Sequence, residues 1–244
     1  MTGAARRLGR EISLGLAREG ADVILHSHKS SIYEVAETIE REGRRTWAIR
    51  ADLAIPGQVE VLAEEALRRA GQVDILVNNA SAFYATPLET LTSAVWEEML
   101  QVNLSSPFLL SLLLGRKMRE TAKGDGKIIF LGDWSGRRPS RDYLAYCVSK
   151  AGVHALTRSL AKALAPNVQV NEVAPGPVLV PEKFTPNEIE RVRVSTPLQR
   201  LGVPGDVVRT VLFLTKPGSY VTGASYVVDG GWLAKVGEGK VIST

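Results

Sequence analysis

Tyr146 and Lys150 stand four positions apart in Tyr146-Cys147-Val148-Ser149-Lys150, a spacing that puts both on one face of a helix. An ammonium group beside a phenol lowers the phenol's pKa, which makes the phenol a proton donor or acceptor usable near neutral pH. Such a pair is common by chance. It gains weight from Asn78-Asn79-Ala80 after one expected strand, Asn103 in a following helix and Pro175-Gly176 after another strand. Nearer the start, Thr2-Gly3-Ala4-Ala5-Arg6-Arg7-Leu8-Gly9 opens a helix, where free backbone N–H groups and the helix dipole favour a phosphate. Arg6 and Arg7 add positive charge at that place.

Those residues need a frame. Short β-branched runs alternate with segments of helical period: a helix over Leu8 to Glu19, a strand over Asp22 to Leu25 ending at His26, a helix over Ile32 to Arg41, a strand over Thr46 to Arg50 and a turn at Ala51-Asp52. The series continues with a helix over Val59 to Arg69, a strand over Val73 to Val77, helices over Ser93 to Leu100 and Leu104 to Arg119, and a strand over Lys127 to Leu131. It closes with a helix over Ala145 to Leu164, a strand over Gln169 to Val173, a helix over Gly205 to Leu214 and a strand over Ser225 to Val228. Apolar strands separated by helices are what a parallel sheet covered on both faces requires. The expected fold is therefore α/β, a single-domain doubly wound parallel sheet (Rossmann-like) over residues 1–244. Pro175 to Pro197 reads as a long irregular stretch, residues 175–200 as a substrate lid over the sheet's carboxyl edge, and 233–244 as a C-terminal tail.

A dinucleotide-binding turn follows a strand, yet only Met1 stands before Thr2. Without that central strand the N–H and C=O groups of its neighbours would lie unpaired in the interior. The first central strand is thus read as missing: either the natural chain starts further upstream or the sheet is repaired in another way, with Lys240-Val241-Ile242-Ser243-Thr244 as the candidate repair. At the end of the next strand an NAD-preferring site places a carboxylate on the adenosine ribose. Here stand His26-Ser27-His28-Lys29-Ser30. A cation and hydroxyls bind a 2′-phosphate that a carboxylate would repel, so NADPH is favoured over NADH; the alternative for these residues is a plain exposed loop.

With these motifs the chain resembles the short-chain dehydrogenase/reductase family from Thr2 to Trp232, including Thr222-Gly223 and Val228-Asp229-Gly230-Gly231 near the C-terminus. The resemblance implies that Tyr146 is the proton donor, that Lys150 orients the nicotinamide ribose and tunes the tyrosine, and that Asn103 holds a proton-relay water. It places the cofactor against Gly3, Arg6, Arg7, Leu8, Gly9, His26, Ser27, His28, Lys29, Ser30, Asp52, Leu53, Asn79, Ala80, Ser81, Tyr146, Lys150, Pro175 and Gly176, with Asp52 at the adenine and Asn79 near the adenosine ribose. In similar proteins the helices equivalent to Leu104–Arg119 and Ala145–Leu164 pair between subunits, which implies a homotetramer.

Two departures from the common pattern narrow the reading. Where most members carry a serine thirteen residues before the tyrosine, this chain has Asp133, and Arg7 replaces the middle glycine of the cofactor turn. Both are features of the family's pteridine reductase branch, which the chain also resembles in His26-Ser27-His28-Lys29-Ser30 and Asn78-Asn79-Ala80-Ser81-Ala82-Phe83. A carboxylate would repel the alkoxide that develops on a ketone, whereas a C=N bond must gain a proton on nitrogen as carbon takes hydride, and an Asp–Tyr pair can supply it. On this reading Arg7, Ser81, Phe83, Asp133 and Tyr146 meet a pterin-like substrate, with Phe83 stacked on its ring. Phe83 packing under the lid and Asp133 merely capping its turn are the alternatives. The function expected is NADPH-dependent reduction of a dihydropterin, dihydrofolate included. A 3-oxoacyl or other carbonyl reductase and a non-catalytic dinucleotide-binding homologue are the competing readings.

Composition limits the field. The 244 residues are 45% hydrophobic and 23% charged with a net charge of +4, the balance of a globular domain. The basic residues are scattered, so no nucleic-acid partner is expected. Cys147 stands alone, which excludes an intrachain disulfide and fits a reducing compartment. No apolar run reaches the ~18 residues of a spanning helix, so no membrane partner and a cytoplasmic location are expected. No metal site is read.

Overall fold

A computed structural model describes residues 1–121, 125–179 and 184–234. In chain order it contains α1 (Arg7–Arg18), β1 (Val23–Ser27), α2 (Tyr33–Arg41), β2 (Thr46–Arg50), α3 (Pro56–Ala70), β3 (Ile75–Asn78), α4 (Ser93–Leu100), α5 (Ser106–Thr121), β4 (Gly126–Leu131), α6 (Leu144–Leu164), β5 (Val168–Pro175), α7 (Pro186–Ser195), α8 (Pro204–Thr215) and β6 (Ser225–Val228). Helices α3, α7 and α8 each begin with a proline, whose fixed φ and missing N–H suit the first helical position.

All strand pairs are parallel: β1 with β2, and β3-β4-β5-β6 in that spatial order. Successive residues of β4 supply opposite faces. Ile128 and Phe130 join Leu62, Leu114 and Leu160 under α3, α5 and α6, while Ile129 and Leu131 join Ile12, Val211 and Leu214 under α1 and α8. Because the strands run the same way, their carboxyl ends, from Ser27 and Arg50 to Pro175 and Val228, form one edge where loops converge.

The gap between β1 and β3 is occupied, contrary to the unpaired edges expected for a missing strand. The Met1 amino group donates to the Ile24 carbonyl (3.0 Å) and the Met1 carbonyl accepts from His26 N (3.0 Å). Thr2 N donates to the Val77 carbonyl (3.0 Å) and Ala4 N to that of His26 (2.8 Å). The backbone of Met1, Thr2 and Ala4, part of a turn and not of a strand, therefore joins the β1-β2 pair to the other four strands. The candidate repair strand at 240–244 lies outside the described residues.

Two further expectations need correction. The stretch from Pro175 to Pro197 is not wholly irregular: it contains α7, whose Thr185 side chain and Glu188 carboxylate satisfy each other's backbone N–H groups in a capping box. Between α4 and α5 the chain does not break but passes through a π-helical turn, Gln101–Ser105, a widening of the helix often found at functional sites.

Candidate active site

The glycine turn is built by close approach. Gly3 has φ +63°, and a Cβ on Gly9 would lie 1.9 Å from the Gly3 carbonyl oxygen, so neither position tolerates a side chain. Arg7 adopts φ +53°, the left-handed region that explains why the common pattern has glycine there. Its guanidinium donates to the Leu179 carbonyl (2.9 Å), tying the turn to the segment after β5. Thr2 Oγ accepts from Asn79 N (2.9 Å) and Ala80 N (3.0 Å), and Asn79 Nδ2 donates to the carbonyls of Thr2 (2.8 Å) and Gly3 (3.1 Å). Asn79 thus holds the turn with the amide expected to reach the adenosine ribose. The N-terminus of α1 carries no side-chain cap and no acidic residue in its first turn, so its free N–H groups suit the pyrophosphate of a dinucleotide.

Beyond the turn, His28, Lys29, Ala51 and Asp52 line an open depression of about 520 Å³ with Gln58 and Arg50. His28 Nε2 lies 3.4 Å from Asp52 Oδ2, and Asp52 Oδ1 accepts from Ala54 N (2.9 Å). The sequence placed Arg50 at the end of a strand and not among the site residues. The signal was available: parallel register sets Arg50 beside Ser27, so the last residue of β2 must flank the His28 loop. Two expected phosphate ligands point elsewhere. His26 is buried; its Nδ1 accepts from Gly3 N (3.2 Å) and its Nε2 faces the Ala51 carbonyl (3.1 Å), which assigns the Nε2–H tautomer. Burial first, opposed by the Ala51 bond, pushes its pKa down to about 4. Ser27 is buried too, its hydroxyl donating to the Ser30 carbonyl (2.8 Å). Leu53 is interior, and its carbonyl accepts from Ser106 Oγ (2.6 Å). At the other side, Gly176 N donates to the Val228 carbonyl (2.9 Å), and a Cβ on Gly176 would lie 2.5 Å from Asp229 Cβ.

Asp133, Tyr146 and Lys150, the groups expected to react, gather where β4 ends. Asp133 caps the 3-10 turn Trp134–Gly136 with Oδ1, accepting from Ser135 N (2.8 Å), and Oδ2 accepts from the Tyr146 hydroxyl (3.0 Å). Capping and contact with the tyrosine, set as alternatives by the sequence, are both realised. Lys150 Nζ donates to the Leu131 carbonyl (2.8 Å) and stands 5.6 Å from the centre of the Tyr146 ring. The sequence led us to expect a lowered phenol pKa; here it is raised well above the ordinary value, by burial first and then by the Asp133 carboxylate. The Tyr146 hydroxyl is accordingly protonated at neutral pH. Lys150 is lowered by burial, against which Asp133 and Glu172 act.

Asn103, in the π-helical turn, clamps the loop that carries Ser81 and Phe83. Its Oδ1 accepts from Ala82 N (2.8 Å) and Ser81 Oγ (3.1 Å), and its Nδ2 donates to the Ala82 carbonyl (2.9 Å) and to Ser149 Oγ (3.2 Å). With its amide engaged in this way, Asn103 acts on the site by placing that loop. Thr86 N donates to the Asp142 carbonyl (2.7 Å), pinning the far end. Phe83, 56% exposed, stacks on Tyr143 (4.9 Å between ring centres, 7° between planes) and meets Tyr146 edge-on (4.8 Å). The Tyr143 stack was not foreseen. Trp134 packs edge-on against Trp232 (5.8 Å).

A doubly wound parallel sheet, an uncapped glycine turn at its carboxyl edge and a buried Tyr–Lys pair beside that turn define a dinucleotide-dependent oxidoreductase. The chain belongs to the short-chain dehydrogenase/reductase family. A family model described as enoyl-(acyl carrier protein) reductase matches residues 3–233. The 2-dehydro-3-deoxy-D-gluconate 5-dehydrogenase of Bacillus subtilis is 35% identical over 96% of this chain and 94% of its own length. Among solved structures, the FolM alternative dihydrofolate reductase 1 of Brucella canis, complexed with NADP, superposes with a TM-score of 0.90 at 31% identity, covering 98% of this chain and 95% of that one. A blue fluorescent protein from a metagenomic library, in complex with NADPH, gives a TM-score of 0.85 at 35% identity over 95% of each chain. Among the described residues no helix is long and apolar enough to cross a membrane.

Proposed function

We propose that the protein reduces a dihydropterin, dihydrofolate included, with NADPH as reductant. The observation that carries the reading is the Tyr146 hydroxyl resting on the Asp133 carboxylate at 3.0 Å, in place of the neutral hydroxyl that would assist a carbonyl oxygen. When bound, the cofactor supplies hydride to carbon. The nitrogen of the C=N bond gains its proton from the Asp133–Tyr146 pair. Half-buried Asp133 meets solvent and restores that proton; Tyr146, buried behind it, cannot. Ser81 and Phe83 form the adjoining wall, and the exposed face of Phe83 is free to stack on a planar ring. The name of the Brucella canis structure, a dihydrofolate reductase, supports the same substrate class.

NADPH preference rests on Lys29 and Arg50, cations suited to a 2′-phosphate, with His28 beside them around one depression. Segment 175–200 serves as lid, with Arg7 linking it to the cofactor turn through Leu179. Phe108 on α5 and Val148 on α6, both over 40% exposed, support pairing of these helices in a homotetramer; the single cysteine fits work in the cytoplasm.

NADPH consumption measured against dihydropterins, dihydrofolate and a panel of ketones tests the reading. Turnover of dihydropterins supports it, and Asp133→Ser should then depress that turnover by about 100-fold. Turnover of ketones alone would transfer the protein to the carbonyl reductases. NADPH binding without any turnover would favour a non-catalytic homologue.

A further inference from the structure

Strand β5 is apolar on the face it turns to α6 except at Glu172, whose side chain is 1% exposed. A carboxylate is rarely buried so completely without partners that hold it. Here Oε2 collects three. The Ser225 hydroxyl of β6 donates to it, His154 Nδ1 of α6 stands 3.0 Å away, and the Arg137 guanidinium of the loop after the 3-10 turn lies 3.6 Å away. Arg137 also donates to Ser225 Oγ. The other oxygen abuts the catalytic loop itself: a Cβ on Gly132 would fall 1.9 Å from Glu172 Oε1. Gly132 separates Leu131, whose carbonyl holds Lys150, from Asp133, which holds Tyr146.

We propose that Glu172 is a positioning residue of the active site: its carboxylate gathers Arg137, His154 and Ser225 behind Gly132, fixing the loop that sets Asp133 against Tyr146 and placing a negative charge behind Lys150. The proposal rests on the Asp133–Tyr146–Lys150 reading of the site. Three elements converge on the one group. His154 lies one turn beyond Lys150 on α6, so consecutive turns of that helix are pinned to the ends of β4 and to β5. Gly136 packs against the same helix so closely that a Cβ there would be 2.8 Å from the Lys150 carbonyl carbon. The charges that act on Lys150 are then Asp133 from the loop and Glu172 from the sheet, both holding the ammonium protonated against burial; Arg137 partly neutralises Glu172, and His154 does so when protonated.

Charge and shape separate in two substitutions of the full chain. Glu172→Gln keeps the shape and removes the charge; Arg137→Gln leaves the carboxylate and removes a cation. The readout is the ionisation midpoint of Lys150, followed through its 13Cε resonance and assigned with Lys150→Arg, together with kcat, KM and the dissociation constant of NADPH. Glu172→Gln should lower the midpoint by about one pH unit and Arg137→Gln should raise it. For Glu172→Gln, kcat should drop about tenfold with the alkaline fall of the rate moved to lower pH, while KM and NADPH affinity stay within about twofold. Glu172→Asp, which keeps the charge, should restore most of the midpoint. Midpoints unchanged in both variants, or shifted in the same direction, overturn the proposal. Should Glu172→Gln fail to fold, Arg137→Gln still decides it by the sign of its shift. The titration needs no substrate, so absence of dihydropterin turnover would sink the functional reading and leave this result standing.

Discussion

The two ends of the cleft treat charge in opposite ways. Around Tyr146 the titratable groups are enclosed: Lys150 is buried on the Leu131 carbonyl, the phenol is buried on Asp133, and both depart from their ordinary pKa values. At the adenosine end, Lys29 and Arg50 are exposed, and the side chain of His28 is 48% exposed beside Asp52. Proton transfer gains from desolvation, which is what moves a pKa. Recognition of a phosphate needs cations that stay charged, and a solvated cation does so at little cost. His26 sits between the two ends and belongs to neither, since its ring is consumed in holding the Gly3 turn to Ala51.

The difference can be broken at each place. The largest effect is expected at the enclosed end: Tyr146→Phe should lower kcat by about 10² to 10⁴-fold with NADPH affinity little changed, read by steady-state rates beside a fluorescence titration. The buried phenol also sets a sign. Because its folded pKa is raised, it should show no ionisation below the ordinary tyrosine range in a 295 nm titration of the native protein, and its share of stability is present at lower pH and lost as pH rises through that high value.

His26 comes next and bears on stability instead of rate. Its folded pKa is about 4 against an ordinary value of 6.5, so between these values the unfolded chain binds more protons than the folded one. Stability is complete above the upper value and is lost as pH falls through the lower, by about 3 kcal/mol in all. Urea unfolding followed from pH 7.5 to pH 4 should show that slope, and His26→Gln should flatten it. A mutant as acid-sensitive as the parent would place His26 in solvent with His28.

Smaller effects belong to the open end. Arg50→Ala should weaken NADPH about tenfold, roughly 1.4 kcal/mol, leave NADH nearly unchanged, and reduce the salt dependence of NADPH binding. Equal losses for both cofactors would remove the 2′-phosphate reading. The smallest is Arg7→Gly. It relieves a left-handed backbone, worth roughly 1 kcal/mol, and removes the donor to Leu179. Melting should barely move while the substrate KM rises about two- to threefold, as a link to the lid requires.

Much of the fold was legible because parallel strands buried on both faces leave continuous apolar runs, and the order of elements followed the alternation of those runs with helical periods. The exceptions have separate physical causes. Helix α7 was hidden by prolines at 181, 186 and 197, although Thr185 followed by Pro186 and Glu188 is a helix start that could have been read. The bridge at Met1–Ala4 was unreadable, since four residues carry no periodicity. Within the site, Tyr146 and Lys150 came from spacing and Asp133 from the resemblance to the family. Arg50 and Glu172 required register, because each is placed by the strand beside it.

Residue types and spacing by themselves determined the α/β fold, the glycine turn and the Tyr–Lys pair, and the family resemblance added Asp133 at the place of the usual serine. Tertiary structure alone decided that the phenol is held protonated, that His26 is a buried neutral ring while Arg50 faces the cleft, that Asn103 and Asn79 hold loops, and that Glu172 stands behind Gly132. Spacing along a chain shows which groups share a face. Desolvation, approach within a Cβ radius and the register of neighbouring strands depend on atoms far apart in sequence, and those set the charge and direction of each group.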